Sequence, residues 1–510
     1  MIMARHGLFK MFLSAPLQSP PVRQFLRLAA RFALTFGLAV AVGSPVNARE
    51  NLPPEVRRAL QSAGIPVSSV SVVVQPVGAR RPALSLNADV ARNPASVMKL
   101  VTTYAALELL GPAYRWKTEV YASGTLQDGV LSGELILKGY GNPHLTFEDF
   151  WRMLLGLRER GLRELRGDLV LDGSWFEPGP YDPAAFDGKP FRPYNVGPDA
   201  LLLNFNSVRF EFLPDAERGA VQVIAEPRPP ALEVESALRL GAGPCGDWED
   251  QLGERFDPVA GNVDGVARLR ALFGGSYALS CGDKKRNFAL FAHRDYVAGV
   301  FRQLWEQLGG SWTGSAREGT LPEGARLVLT HESPPLGEIV RYMNKFSNNV
   351  MARQVYLTLA AESAGPPARP EAAHAAVAAL LARQGLAAPE LVMDNGSGLS
   401  RDGRISAGTL AKLLQAAFAS PVMPEFVSSL PIAGLDGTLR KYMKDDPVAG
   451  HAHVKTGSLG DARAIAGYVD DRSGRRQVVV MMVNHDHARD AQAAMEALLR
   501  WTYERAKPGR

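Results

Sequence analysis

Asn93-Pro-Ala-Ser-Val-Met-Lys-Leu-Val-Thr-Thr-Tyr-Ala-Ala-Leu-Glu-Leu-Leu-Gly-Pro112 is the stretch of this 510-residue chain from which the rest of the fold can be worked out. Asn93-Pro94 supplies an amino-terminal helix signal, apolar residues recur at Met98, Val101, Ala105 and Leu109, and Gly111-Pro112 ends the pattern. A buried helix is therefore expected over about 95–110. Its first turn carries Ser96 and Lys99, which at i, i+3 share a face about 5–6 Å apart at Cβ. An unprotonated lysine there could take the serine proton, provided burial or a neighbouring cation lowers its pKa. The positive end of the helix dipole would favour developing negative charge. Alone, Ser-x-x-Lys recurs by chance in most chains of this size and fits a solvated helix start as well.

Upstream, 53–64 reads as a short helix closed by Gly64, 68–76 as a β-branched strand, and Ala83–Leu86 as its hairpin partner. Downstream, from about 118 to 290, short alternating runs separated by Gly, Pro and Asp clusters indicate a β-rich region. Helices return at Asp295–Leu308, Pro335–Ala361, Pro370–Gln384 and Ala407–Ser420. A hairpin of Arg463–Val469 and Gln477–Asn484 and a last helix, Asp490–Arg505, close the chain. Strands at both ends with helices between predict an α+β domain interrupted by an insertion.

Two further motifs follow the first. Ser347-Asn348-Asn349 lies in a strongly helical pattern that its own residues oppose, since Ser and Asn compete for the backbone. Such a break in local rules marks either function or an irregular turn between helices. Lys455-Thr456-Gly457-Ser458 precedes the terminal hairpin. A strand with a cation, a hydroxyl and a Gly that admits close approach can clamp a carboxylate, though an ordinary exposed edge strand has the same pattern.

Ser-x-x-Lys, Ser-x-Asn and Lys-Thr-Gly in that order form the set found in serine β-lactamases and penicillin-binding proteins. The chain resembles the serine penicillin-recognising enzymes, and within them the class C low-molecular-mass penicillin-binding proteins. This is the D-alanyl-D-alanine carboxypeptidase/endopeptidase family, of the penicillin-binding protein 4 type. The long gap from Ser96 to Ser347 and blocks such as 135–146, 167–176, 200–210, 394–401 and 433–440 carry the resemblance through most of 50–500. It implies a transpeptidase-like catalytic domain, an antiparallel sheet flanked by helices, built from 49–117 and 325–510. A β-rich insertion at 118–324, in two subdomains, would interrupt it.

The resemblance further implies Ser96 as the acylated nucleophile, Lys99 as its base and Ser347 as proton relay to the leaving group. Asn349 would bind the substrate amide, and Lys455 with Thr456 the terminal carboxylate. Gly457 would give the close approach, and Ser458 would share the oxyanion hole with the Ser96 N–H. Expected ligands are peptidoglycan peptides and β-lactams, with no cofactor, metal or nucleic acid. Asp172 could help recognise a diamino-acid side chain, or be an exposed turn carboxylate. A β-lactamase or esterase of the same fold, and a non-catalytic peptidoglycan-binding protein, are the alternatives.

The net charge of +5 would invite an anionic partner. However, residues 1–48 hold Arg5, Lys10, Arg23, Arg27 and Arg31 and no acid, which leaves 52 basic against 52 acidic residues beyond them. The basic stretch, the apolar run Phe32–Gly43 and the small residues to Ala48 make a secretory signal pattern. Cleavage near Ala48, a periplasmic destination and no remaining membrane anchor are expected. In that oxidising compartment Cys245 and Cys281 can form a disulfide; buried free thiols are the alternative. The pairs His451/His453 and His485/His487 lack a third metal ligand, and Ser397 between two glycines reads as part of a tight loop near the cleft. Trp501 and the nearby cations on the last helix fit packing against the terminal sheet better than a membrane anchor.

Overall fold

A computed structural model describes residues 52–505; the expected signal segment lies outside them. At its centre is a five-stranded antiparallel sheet, in the order Ala452–Ser458, Ala462–Asp470, Arg476–Asn484, Val70–Pro76, Leu84–Leu86. Its middle strand, Arg476–Asn484, runs Gln-Val-Val-Val-Met-Met-Val because both faces are covered. Val478, Val480 and Met482 face the helices Lys99–Leu110, Asn349–Ala364 and Ala407–Ala419. Val479, Met481 and Val483 face the outer layer, helices Pro54–Ser62 and Gln492–Glu504. Burial on both faces explains why this strand reads as a continuous apolar run without alternation. Trp501 is half-buried against that outer layer.

Two further sheets are formed by strands within residues 117–332. One is built on the long hairpin of Lys117–Gln127 and Val130–Gly139. The other holds Val208–Asp215, Ala220–Glu226, Leu252–Val263, Val266–Ala278 and Lys284–Phe288. Both contribute to one apolar core with helices Phe147–Glu159 and His293–Gln307. The first of these helices falls within the stretch read as β-rich, and it opens with a full capping box between Thr146 and Asp149. Strand Arg326–Glu332 pairs with Lys117–Gln127, so that sheet runs past the expected boundary at 324. Cys245 and Cys281 are joined by a disulfide in this region.

Two expected helices differ in detail. The first motif begins as a 3₁₀ turn, Ala95–Met98, and becomes α-helical only at Lys99. The run Pro335–Ala361 is two helices, Leu336–Lys345 and Asn349–Ala364, because Asn348 caps the second by accepting from the Met351 N–H at 3.0 Å. The conflict between Ser, Asn and helix propensity is thus resolved as a break. Among the described residues no helix is long and apolar enough to cross a membrane.

Candidate active site

Three elements meet at one cleft: the Ala95–Met98 turn, the break at Phe346–Asn348, and the strand Ala452–Ser458. The turn is held in place by Asn93. Its main chain exchanges hydrogen bonds with the Asn484 side chain (2.7 and 3.0 Å), and its own side chain accepts from the Ala95 N–H at 2.9 Å. Ala95 adopts φ +47° and Ser347 φ +55°, the left-handed region that costs a non-glycine residue about 1–3 kcal/mol and clusters at functional sites. Both strained residues sit where a motif serine must be presented. At Gly457 a Cβ would collide with the Pro94 carbonyl oxygen and lie 2.9 Å from the Ser96 nitrogen. Only a glycine lets the strand pass this close to the serine backbone.

Lys99 is fully buried at the floor. Its Nζ lies 3.1 Å from Ser96 Oγ, 2.6 Å from Asn349 Oδ1 and 2.6 Å from the Ser397 carbonyl oxygen. Every partner is neutral. Burial first, then the charges of Lys455 and Arg353, pushes its pKa well below the usual lysine range. Lys455, also fully buried, donates to Ser347 Oγ at 2.8 Å and to the Thr456 carbonyl at 2.6 Å, and burial brings it down to about 7. Ser96, Lys99, Asn349, Ser347 and Lys455 thus form two short hydrogen-bonded chains facing one cleft, with half-exposed Thr456 and exposed Ser458 on the same strand.

Some residues at the site carried no motif. Arg353, one turn after Asn349, is buried and donates to the carbonyls of Tyr194 (3.2 Å) and Val196 (2.5 Å). Asn349 Nδ2 donates to the same Tyr194 carbonyl at 3.3 Å. The segment around Tyr194 and Val196 therefore braces helix Asn349–Ala364 from outside. The sequence signal was a basic residue one turn after Asn349, on the same face of a largely apolar helix. Ser397 acts through its carbonyl, while its hydroxyl is held by Asn395 Oδ1 at 2.7 Å.

Asp172 is not the exposed turn carboxylate that its sequence context allowed. Its side chain is inaccessible, bonded to Lys138 Nζ at 2.8 Å, to the Ser174 hydroxyl and N–H, and to the Leu321 N–H. Burial pushes its carboxyl up, but the Lys138 ammonium and these donors outweigh it and hold it below the ordinary value. Among the described residues no group of three His, Cys, Asp or Glu could hold a metal.

The chain matches the D-Ala-D-Ala carboxypeptidase 3 (S13) family over residues 53–504. It belongs to this family. A D-alanyl-D-alanine carboxypeptidase of Actinomadura sp. (strain R39) is 30% identical over 426 residues, covering 79% of this chain and 75% of that one. D-alanyl-D-alanine carboxypeptidase DacB of Haemophilus influenzae is 26% identical over 398 residues, 76% of this chain and 80% of that one. In fold, the S13 chain resembles the crystal structure of penicillin binding protein 4 from H. influenzae, with TM-score 0.69 and 22% identity, covering 87% of this chain and 99% of that one. The same protein complexed with a β-lactam gives TM-score 0.67 and 23% identity, covering 88% and 99%.

Proposed function

We propose that this S13 chain is a serine-type D-Ala-D-Ala carboxypeptidase or D,D-endopeptidase acting on peptidoglycan peptides, and that β-lactams acylate it. One observation carries the assignment of roles: a fully buried lysine with no acidic partner among the described residues, its amine 3.1 Å from Ser96 Oγ. Burial that disfavours the ammonium keeps Lys99 available as a base, and a nucleophile with a base in hydrogen-bond reach is the recurring arrangement for acyl transfer.

Ser96 Oγ attacks the carbonyl carbon of the penultimate D-alanine while Lys99 takes its proton. The developing oxyanion rests between the Ser96 and Ser458 N–H groups, where preorganised donors are worth about 10²–10³ in rate. Lys455 and Thr456 hold the terminal carboxylate, whose arrival beside Lys455 favours the ammonium, and Asn349 holds the substrate amide. Ser347, bonded to Lys455, passes a proton to the departing amine as the C–N bond breaks. Water then cleaves the ester by the reverse route. The division into a discontinuous catalytic part and an inserted β-rich part belongs to the same proposal, as do removal of the basic and apolar amino-terminal segment and residence in the periplasm.

Mature protein incubated with a labelled penicillin should gain the mass of one penicilloyl group, long-lived in the wild type and absent in Ser96→Ala. No adduct, or one that persists in the variant, overturns the assignment; rapid turnover of the drug would point to a β-lactamase.

A further inference from the structure

A cavity of about 530 Å³ opens beside Ser347 and Asn349 and is closed on its far side by the inserted region. The motif strand gives it a direction. Lys455 is bonded to Ser347, whereas Leu459, just past Ser458, clusters with Ala95, Leu399 and Phe186 at the other end of the cleft. A peptide whose carboxylate lies at Lys455 and Thr456 therefore directs its acyl portion toward Leu399 and its leaving portion toward Ser347. Ser347 lines the cavity, while no residue of 395–401 or 458–462 does. The cavity is on the leaving-group side.

A departing D-alanine uses little of this space, which falls in the range of pockets that enclose most of a much larger ligand. The far wall is polar in an ordered way. Glu226, Arg209 and Asn287 are direct cross-strand partners on three adjacent strands, and all three line the cavity. Arg209 and Glu226 form an ion pair, yet their side chains remain 46% and 53% exposed. A row of carboxylate, guanidinium and amide offers a match for a carboxylate and for backbone N–H and C=O groups. Phe205 and Phe346 supply apolar flanks.

We propose that this cavity is a subsite for the leaving half of a D,D-cross-link: a diamino acid, acylated on its D-centre amine and carrying its own stem peptide, gripped by the Glu226–Arg209–Asn287 row. The proposal rests on the acyl-transfer function above and adds where the leaving half of a cross-linked substrate is held. The chemistry balances as before. Ser96 Oγ forms an ester with the D-alanyl carbonyl carbon, the C–N bond to the diamino acid breaks, and the serine proton leaves on its amine. Water then releases the acyl group as a carboxylate.

The test uses the mature chain with a purified cross-linked muropeptide dimer, an uncross-linked pentapeptide monomer and labelled penicillin in parallel. Arg209→Glu reverses the central charge of the row, and Asn287→Trp fills the space from an exposed strand position. Wild type should cleave the dimer, and each variant should lower kcat/KM for the dimer about tenfold or more, chiefly through KM. D-Alanine release from the monomer and penicillin acylation should keep their wild-type rates, which also reports intact folding. The subsite is overturned if wild type releases D-alanine but leaves the dimer whole, or if the variants slow both substrates equally or neither. A wild type that forms no penicillin adduct overturns the acyl-transfer function itself, and the subsite with it.

Discussion

Lys99 and Lys455 in the cleft and Lys138 and Lys345 in the scaffold are all largely removed from water, but their partners differ. Among the described residues the cleft lysines bond only to hydroxyls, an amide and carbonyls. Lys138 pairs with Asp172 at 2.8 Å, and Lys345 with Asp436 at 2.6 Å. At Lys345 the Asp436 carboxylate opposes burial, although burial still leaves the lysine's pKa lowered. A cleft lysine has no carboxylate, so burial acts on it unopposed, and it is left free to exchange a proton or to receive a carboxylate from elsewhere. The difference separates groups that hold the structure together from groups held ready for chemistry.

The largest effect is expected at Lys99. Lys99→Met should slow penicillin acylation by roughly 10²–10⁴-fold, the usual worth of a general base, as measured by stopped-flow or mass spectrometry; acylation at the wild-type rate would put the base elsewhere. Lys138→Met should leave acylation chemistry intact but cost about 3–5 kcal/mol in denaturant unfolding, because Asp172 would be a buried carboxylate without its cation. Lys345→Met should cost less, about 1–2 kcal/mol, since Asp436 is a third exposed and still accepts from the Ile432 N–H.

The subtlest effect is in pH. Acylation should rise as Lys99 loses its proton and fall as Lys455 loses its own at or above about 7, giving a bell. Between about 7 and the ordinary 10.5, the unfolded chain binds a proton at Lys455 that the folded chain has released. Folding stability relative to Lys455→Met should therefore increase as pH rises through that window. A difference in unfolding free energy that stays flat from pH 7 to 10 would mean that Lys455 is not depressed.

How much of this was legible in the sequence depends on the range of the interaction. The apolar period after Lys99, the terminal hairpin and the three motifs are local patterns, and they gave the α+β fold and the elements that meet at the cleft. The break at Phe346–Asn348 was visible as a conflict of propensities, but nothing local said whether helix or turn would prevail. Helix Phe147–Glu159 had its signal in Thr146, Asp149 and the spacing of Phe150, Met153, Leu154 and Leu157, masked by strand patterns on either side. Arg353 and the paired state of Asp172 depend on Tyr194, Val196, Lys138 and Leu321, partners distant in sequence that no periodicity announces.

The carbonyl of Tyr194 receives both Asn349 and Arg353, and the chain leading to it, 177–190, is largely exposed. Under the proposed mechanism, activity should therefore depend on the integrity of a surface loop that contributes no motif residue. One protease cut there would leave every motif in the chain yet remove the brace from the helix that steadies Lys99.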